Sequence, residues 1–148
     1  MILTYSEFQD ITEFPDSNSP KKYKKHYKES EETYFNDLIG RELVAKIKDG
    51  KYSDLLELSK LCLAYDIELA FLKTGNITII SEGGIQRQGD YKKAPEYLDK
   101  ENRIKHSYKV LRSYEEQLVS KIRDGDYPEW NENKKISTKE TFSITAIG

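Results

Sequence analysis

The segment Lys21-Lys22-Tyr23-Lys24-Lys25-His26-Tyr27-Lys28 puts five ammonium groups and three aromatic rings into eight residues. That mixture suits a polyanion. Lysines neutralise phosphates and release condensed counterions, and rings can stack on bases. Lys21, Lys22, Lys24, Lys25 and Lys28 are therefore candidate DNA contacts. A solvated linker ahead of an acidic helix start is the equally weighted alternative. Arg41, Lys46, Lys48 and Lys51 extend the candidate set around a later helix turn.

Charge is segregated along the chain. Residues 1–20 carry Glu7, Asp10, Glu13 and Asp16 and no basic residue. The net charge of −2 over 148 residues excludes a wholly basic nucleic-acid coat, but it leaves room for a local DNA-binding face.

Other chemistries have little to work with. His26 and His106 lie in different elements, and neither is placed beside a plausible serine or cysteine nucleophile. No HExxH, Walker A loop or dinucleotide fingerprint occurs. Gly83-Gly84 followed by Gly89 lacks the Lys-Ser/Thr and the helix of a phosphate cradle, and reads as a tight β-turn. The lone Cys62 allows no intramolecular disulfide and no cysteine-based zinc site. It sits on an apolar seam and reads as a small packed hydrophobe. The expectation is a non-enzyme with no catalytic residue, metal or cofactor.

These side chains need a scaffold. Leu55, Leu58, Cys62, Tyr65, Leu69 and Leu72 fall at steps of 3, 4, 3, 4 and 3. Tyr97, Ile104, Leu111 and Leu118 recur every seven residues, with Tyr108 and Ile122 on the neighbouring seam. Both patterns are those of helices winding on one another. They predict a helical hairpin with arms at about Asp54–Leu72 and Glu96–Ile122. Leu55, Leu58, Tyr65, Leu69, Leu72, Ile104, Tyr108, Leu111, Leu118 and Ile122 are the candidate oligomerisation residues.

A first helix is expected over Glu31–Lys48, capped by Ser30 and stopped near Gly50. Ser53 should cap the second helix. Ile77-Thr78-Ile79-Ile80 reads as a short strand, and Pro95 suits the first turn of the last helix. The ending Gln117-Leu-Val-Ser-Lys-Ile-Arg-Asp-Gly-Asp-Tyr127 is like Glu42-Leu-Val-Ala-Lys-Ile-Lys-Asp-Gly-Lys-Tyr52, which reads as one helix-stop solution used twice, with a duplication as the alternative. Phe142–Ile147 reads as a final strand or a docking tail.

The expected fold is thus mainly α: a three-helix core with a long hairpin, a small β element between the last two helices, and flexible ends. The expected organisation is an acidic-then-basic arm at 1–28, a helical core at 29–125 and a tail at 126–148. Met1-Ile2-Leu3 runs straight into polar residues, so no secretory leader is expected, and no apolar run approaches a membrane span. The cytoplasm is the expected location.

The order of elements resembles the small terminase subunits of tailed bacteriophages, in particular the P27-type and HK97-like groups. Glu32-Thr-Tyr-Phe-Asn-Asp-Leu-Ile39 is similar to the family's opening helix. The stretch from Ser53-Asp-Leu-Leu to Ala70-Phe-Leu72 is similar to its leucine-rich helix with a tyrosine near the end. Ile77–Gly84 stands where the family has a short β-branched piece with glycine. Ala94-Pro95 stands where the family has Asn-Pro, and the family's closing Leu-Thr-Pro segment is absent after Ile122. The resemblance covers about residues 31–122.

The resemblance implies a ring oligomer in the host cytoplasm. It would bind the packaging-initiation site on viral double-stranded DNA and regulate the ATPase and nuclease of a large terminase subunit. Two other readings stand beside it: a phage-encoded inhibitor or adaptor that binds a host protein, and a dimeric helix-turn-helix transcription regulator.

Overall fold

The computed structural model describes residues 1–14, 20–74, 77–79, 85–87 and 94–130. Six α-helices occur among them. They are α1 (Tyr5–Thr12), α2 (Pro20–Glu29), α3 (Asn36–Ile39), α4 (Arg41–Lys48), α5 (Leu56–Thr74) and α6 (Ala94–Asp124). A π-helical segment, Ser30–Phe35, joins α2 to α3, and a 3-10 turn, Ser53–Leu55, leads into α5. The three-residue strands β1 (Ile77–Ile79) and β2 (Ile85–Arg87) pair antiparallel, with Ile77 opposite Arg87.

The expected three-helix core with a flexible N-terminal arm is overturned by this architecture. The first fourteen residues are not a loose arm. Thr4 caps α1 through a reciprocal box: its hydroxyl accepts from the Glu7 amide at 3.2 Å, and the Glu7 carboxylate accepts from the Thr4 amide at 3.0 Å. Ile2, Leu3, Phe8 and Phe14 are all buried. Their apolar bulk outweighs the acids that made the segment look solvated: Glu7 and Asp10 on α1 and Glu13 at its end all stay out of the core.

α2 continues the same cluster. Pro20 is its first residue, where a missing amide costs nothing. Tyr23 and Tyr27, one turn apart, drive their rings inward. Tyr23 lies 5.3 Å from Phe8 and 5.2 Å from Tyr5 between ring centroids. Phe71 of α5 completes the group, 5.8 Å from Phe8 and 5.0 Å from Phe14. Each such ring withdrawn from water contributes about 1.5–3 kcal/mol.

The expected helix Glu31–Lys48 is also redrawn. Helical backbone runs unbroken from Pro20 through Ile39, so Ser30 is not a cap. Its hydroxyl donates instead to the Asp66 carboxylate at 2.7 Å. The break comes at Gly40, whose φ of +94° lies in a region that favours glycine. Ser53 likewise does not cap α5, which opens through the 3-10 turn behind Tyr52.

α5 and α6 form the hairpin and run antiparallel. Lys121 near the end of α6 donates to the Asp54 carbonyl at 2.8 Å, while Glu68 late in α5 meets Arg103 early in α6. Leu55, Cys62, Leu69, Leu72, Leu111, Leu118 and Ile122 are buried along this axis. The Gly83-Gly84 turn, the segment Phe142–Ile147 and most of the tail at 126–148 lie outside the described residues.

Candidate nucleic-acid interface

α2 sorts its residues cleanly by side. At about 100° per residue, its five lysines fall within an arc of roughly 160° and rise about 10 Å along the axis. Lys21, Lys22, Lys24, Lys25 and Lys28 are all exposed, and Tyr23 and Tyr27 are 1% and 6% exposed. Lys22, Lys24, Lys25 and Lys28 are in no ion pair among the described residues. The result is a cationic face on a helix that is fixed from behind.

The backing is specific. Tyr23 donates its hydroxyl to the Leu3 carbonyl. The Tyr27 hydroxyl accepts from the Ile2 amide at 2.8 Å and donates to the Glu31 carboxylate. Burial pushes both phenols well above the usual tyrosine range. His26 sits edge-on to Phe71 at 4.6 Å, and burial holds its imidazole below its ordinary value. These rings were candidate stacking groups in the sequence. Folding turns the two tyrosines away from any ligand and leaves His26 half-buried, because a ten-residue helix with one apolar side must bury that side.

The second basic group is of another kind. Arg41, Lys46, Lys48 and Lys51 are exposed on α4 and the turn after it. Lys48 is engaged with Glu31 at 2.8 Å, and the Lys51 ammonium lies 5.0 Å from the centroid of the Tyr52 ring. Lys48 thereby joins a chain running Lys48–Glu31–Tyr27–Ile2, which locks α4, the π segment, α2 and the N-terminus together.

The candidate assembly residues fall into two groups. Leu55, Leu69, Leu72, Leu111, Leu118 and Ile122 are buried within the single chain, where they hold the hairpin closed. Leu58, Tyr65 and Ile104 are half-buried, and Tyr108 is 37% exposed. The α6 pattern gave no hint that Tyr108 faces outward, because its seven-residue repeat was read from apolar type alone.

Buried polar groups elsewhere are structural. Glu68, wholly buried, accepts from Arg103 at 2.7 Å and from the Ser107 hydroxyl, and Arg103 also donates to the Thr12 carbonyl at 2.9 Å. Tyr34 donates to Glu115 at 2.6 Å beside Cys62 and Asp66. Burial pushes the Cys62 thiol up to about 12, so it is no nucleophile near neutral pH. Among the described residues no group of three or more His, Cys, Asp and Glu could hold a metal, and no helix is long and apolar enough to cross a membrane.

No protein-family model, curated protein or solved structure matches the chain.

Proposed function

We propose that the chain is a DNA-packaging protein of the small-terminase kind. It binds the packaging-initiation site on viral duplex DNA through the lysine face of α2. Copies of it assemble into a ring, and the ring regulates the ATPase and nuclease of a large partner subunit in the host cytoplasm. It performs no bond-breaking itself.

The observation that carries this reading is the one-sided lysine face on a helix held from behind by Tyr23 and Tyr27. Four cations without ion-pair partners among the described residues are held at fixed spacing, which suits phosphate contact. The inward tyrosines favour a duplex over a single strand, since neither tyrosine of α2 is open to an unstacked base. Avidity from many copies compensates for the few contacts each one makes. The seam residues buried in the hairpin are occupied, so assembly falls to the partly open Leu58, Tyr65 and Ile104. The order of helices, with a long closing helix after the pair of short strands, is the other support.

Light scattering on the purified protein, alone and with duplex DNA, tests the reading. A single species of many subunits that carries DNA is the expected result. A monomer that ignores DNA would overturn it.

A further inference from the structure

α6 carries a second cationic stripe. Lys105, Lys109 and Arg112 lie at spacings of four and three, so all three share one side of the helix, and all are exposed. None is in an ion pair among the described residues. The bland account is a solvated helix face, and such faces usually alternate sign. Here no acid occurs from Asn102 through Tyr114, although the chain has 26 acids in 148 residues. The one inward cation of that stretch, Arg103, is committed to Glu68.

The rim has matching chemistry. Asn102, His106 and Ser113, the other exposed polar groups of the stretch, are hydrogen-bonding groups of the kind that contact phosphate and sugar. At its edge stands Tyr108, the only large aromatic exposed among the described residues. The Lys73 ammonium, from the end of α5, lies 4.5 Å from the centroid of that ring and brings a fourth cation to the patch.

We infer that the outer stripe of α6, formed by Lys105, Lys109 and Arg112 with Lys73 and Tyr108 at its edge, is a second site for the phosphate backbone of duplex DNA. It acts independently of α2. This rests on the DNA-binding reading above and deepens it. One copy then grips the backbone at two places, on two different helices. Charge complementarity selects the occupant: an uninterrupted cationic stripe fits a polyanion better than a mixed-charge protein surface.

The test compares three variants with the wild type on a short fluorescent duplex of mixed sequence, titrated at several salt concentrations. The first carries Lys105→Gln, Lys109→Gln and Arg112→Gln. The second carries Lys22→Gln, Lys24→Gln, Lys25→Gln and Lys28→Gln. The third combines them. Gln keeps helix propensity, and the positions are exposed, so circular dichroism should report an unchanged fold. The first variant should lose up to about 2.7 from the magnitude of the slope of log affinity against log salt, at about 0.9 per phosphate contact. The combined variant should lose more than either alone. Wild-type affinity and slope in the first variant would overturn the α6 site while leaving α2 in place. Loss in the first variant with none in the second would uphold the α6 site and remove α2. A wild type that binds no duplex would overturn both.

Discussion

Tyr52 and Tyr127 hold each other's turns in place. Their rings meet edge to face, 4.9 Å apart at 80°. The Tyr52 hydroxyl donates to Glu129 at 2.7 Å, and the Tyr127 hydroxyl donates to Asp54. Each acceptor stands two residues beyond the other tyrosine. The matched endings Lys-Ile-Lys-Asp-Gly-Lys-Tyr52 and Lys-Ile-Arg-Asp-Gly-Asp-Tyr127 are therefore the two halves of one reciprocal clasp. Gly125 is part of it, since a Cβ there would run into the Tyr127 ring.

The clasp predicts coupling. Tyr127→Phe should cost about 1 kcal/mol by removing one hydrogen bond. A double-mutant cycle with Tyr52→Phe, measured by urea unfolding, should show the two changes to be non-additive. Strict additivity would mean that the two turns stand independently.

The buried Glu68 is the joint between α1, α5 and α6. Glu68→Ala leaves the Arg103 guanidinium and the Ser107 hydroxyl without their partner. The expected loss is about 3–5 kcal/mol, seen as a lower urea midpoint at unchanged slope. A variant within about 0.5 kcal/mol of the wild type would show that the joint is not needed.

Asp66 gives a pH signature. Burial raises its pKa above 3.8, Glu115 raises it further, and the Ser30 hydroxyl and Lys73 pull it down. The neighbouring Tyr34 and Cys62 are also pushed upward and stay neutral at ordinary pH. A raised carboxyl pKa means that the folded state holds its proton longer than the unfolded state. This contribution therefore weakens as pH rises from about 3.8 through the folded value. Asp66→Asn should make the protein more stable than the wild type at neutral pH, and the gap should close in acid below that window. A gap independent of pH would assign the effect to packing alone.

The hairpin was legible because its leucines follow helical spacing over many turns, and periodicity is the strongest signal a single sequence carries. Cys62 was legible for the same reason. The N-terminal helices were not. Phe8, Phe14, Tyr23 and Tyr27 are scattered among acids and lysines, and only the tertiary cluster around Phe71 reveals their common direction. The lysines of α2 were legible as a cationic run, but not as a face. That needed the helix to extend back to Pro20, which the local signal at Ser30 obscured. Serine favours a cap as a type, yet here its hydroxyl has a better partner in Asp66, 36 residues away. The α6 stripe at Lys105, Lys109 and Arg112 was present in the spacing, and it went unread beside the apolar repeat of the same helix.

The central claim is that the lysine face of α2 holds duplex DNA. The most direct measurement is the salt dependence of duplex affinity for the wild type and for Lys21→Glu, Lys22→Glu, Lys24→Glu and Lys25→Glu combined. The account predicts salt-sensitive binding in the wild type, with a slope of about −0.9 per phosphate neutralised, and its loss in the charge-reversed protein at unchanged fold. Equal affinity and equal slope in both proteins would contradict it.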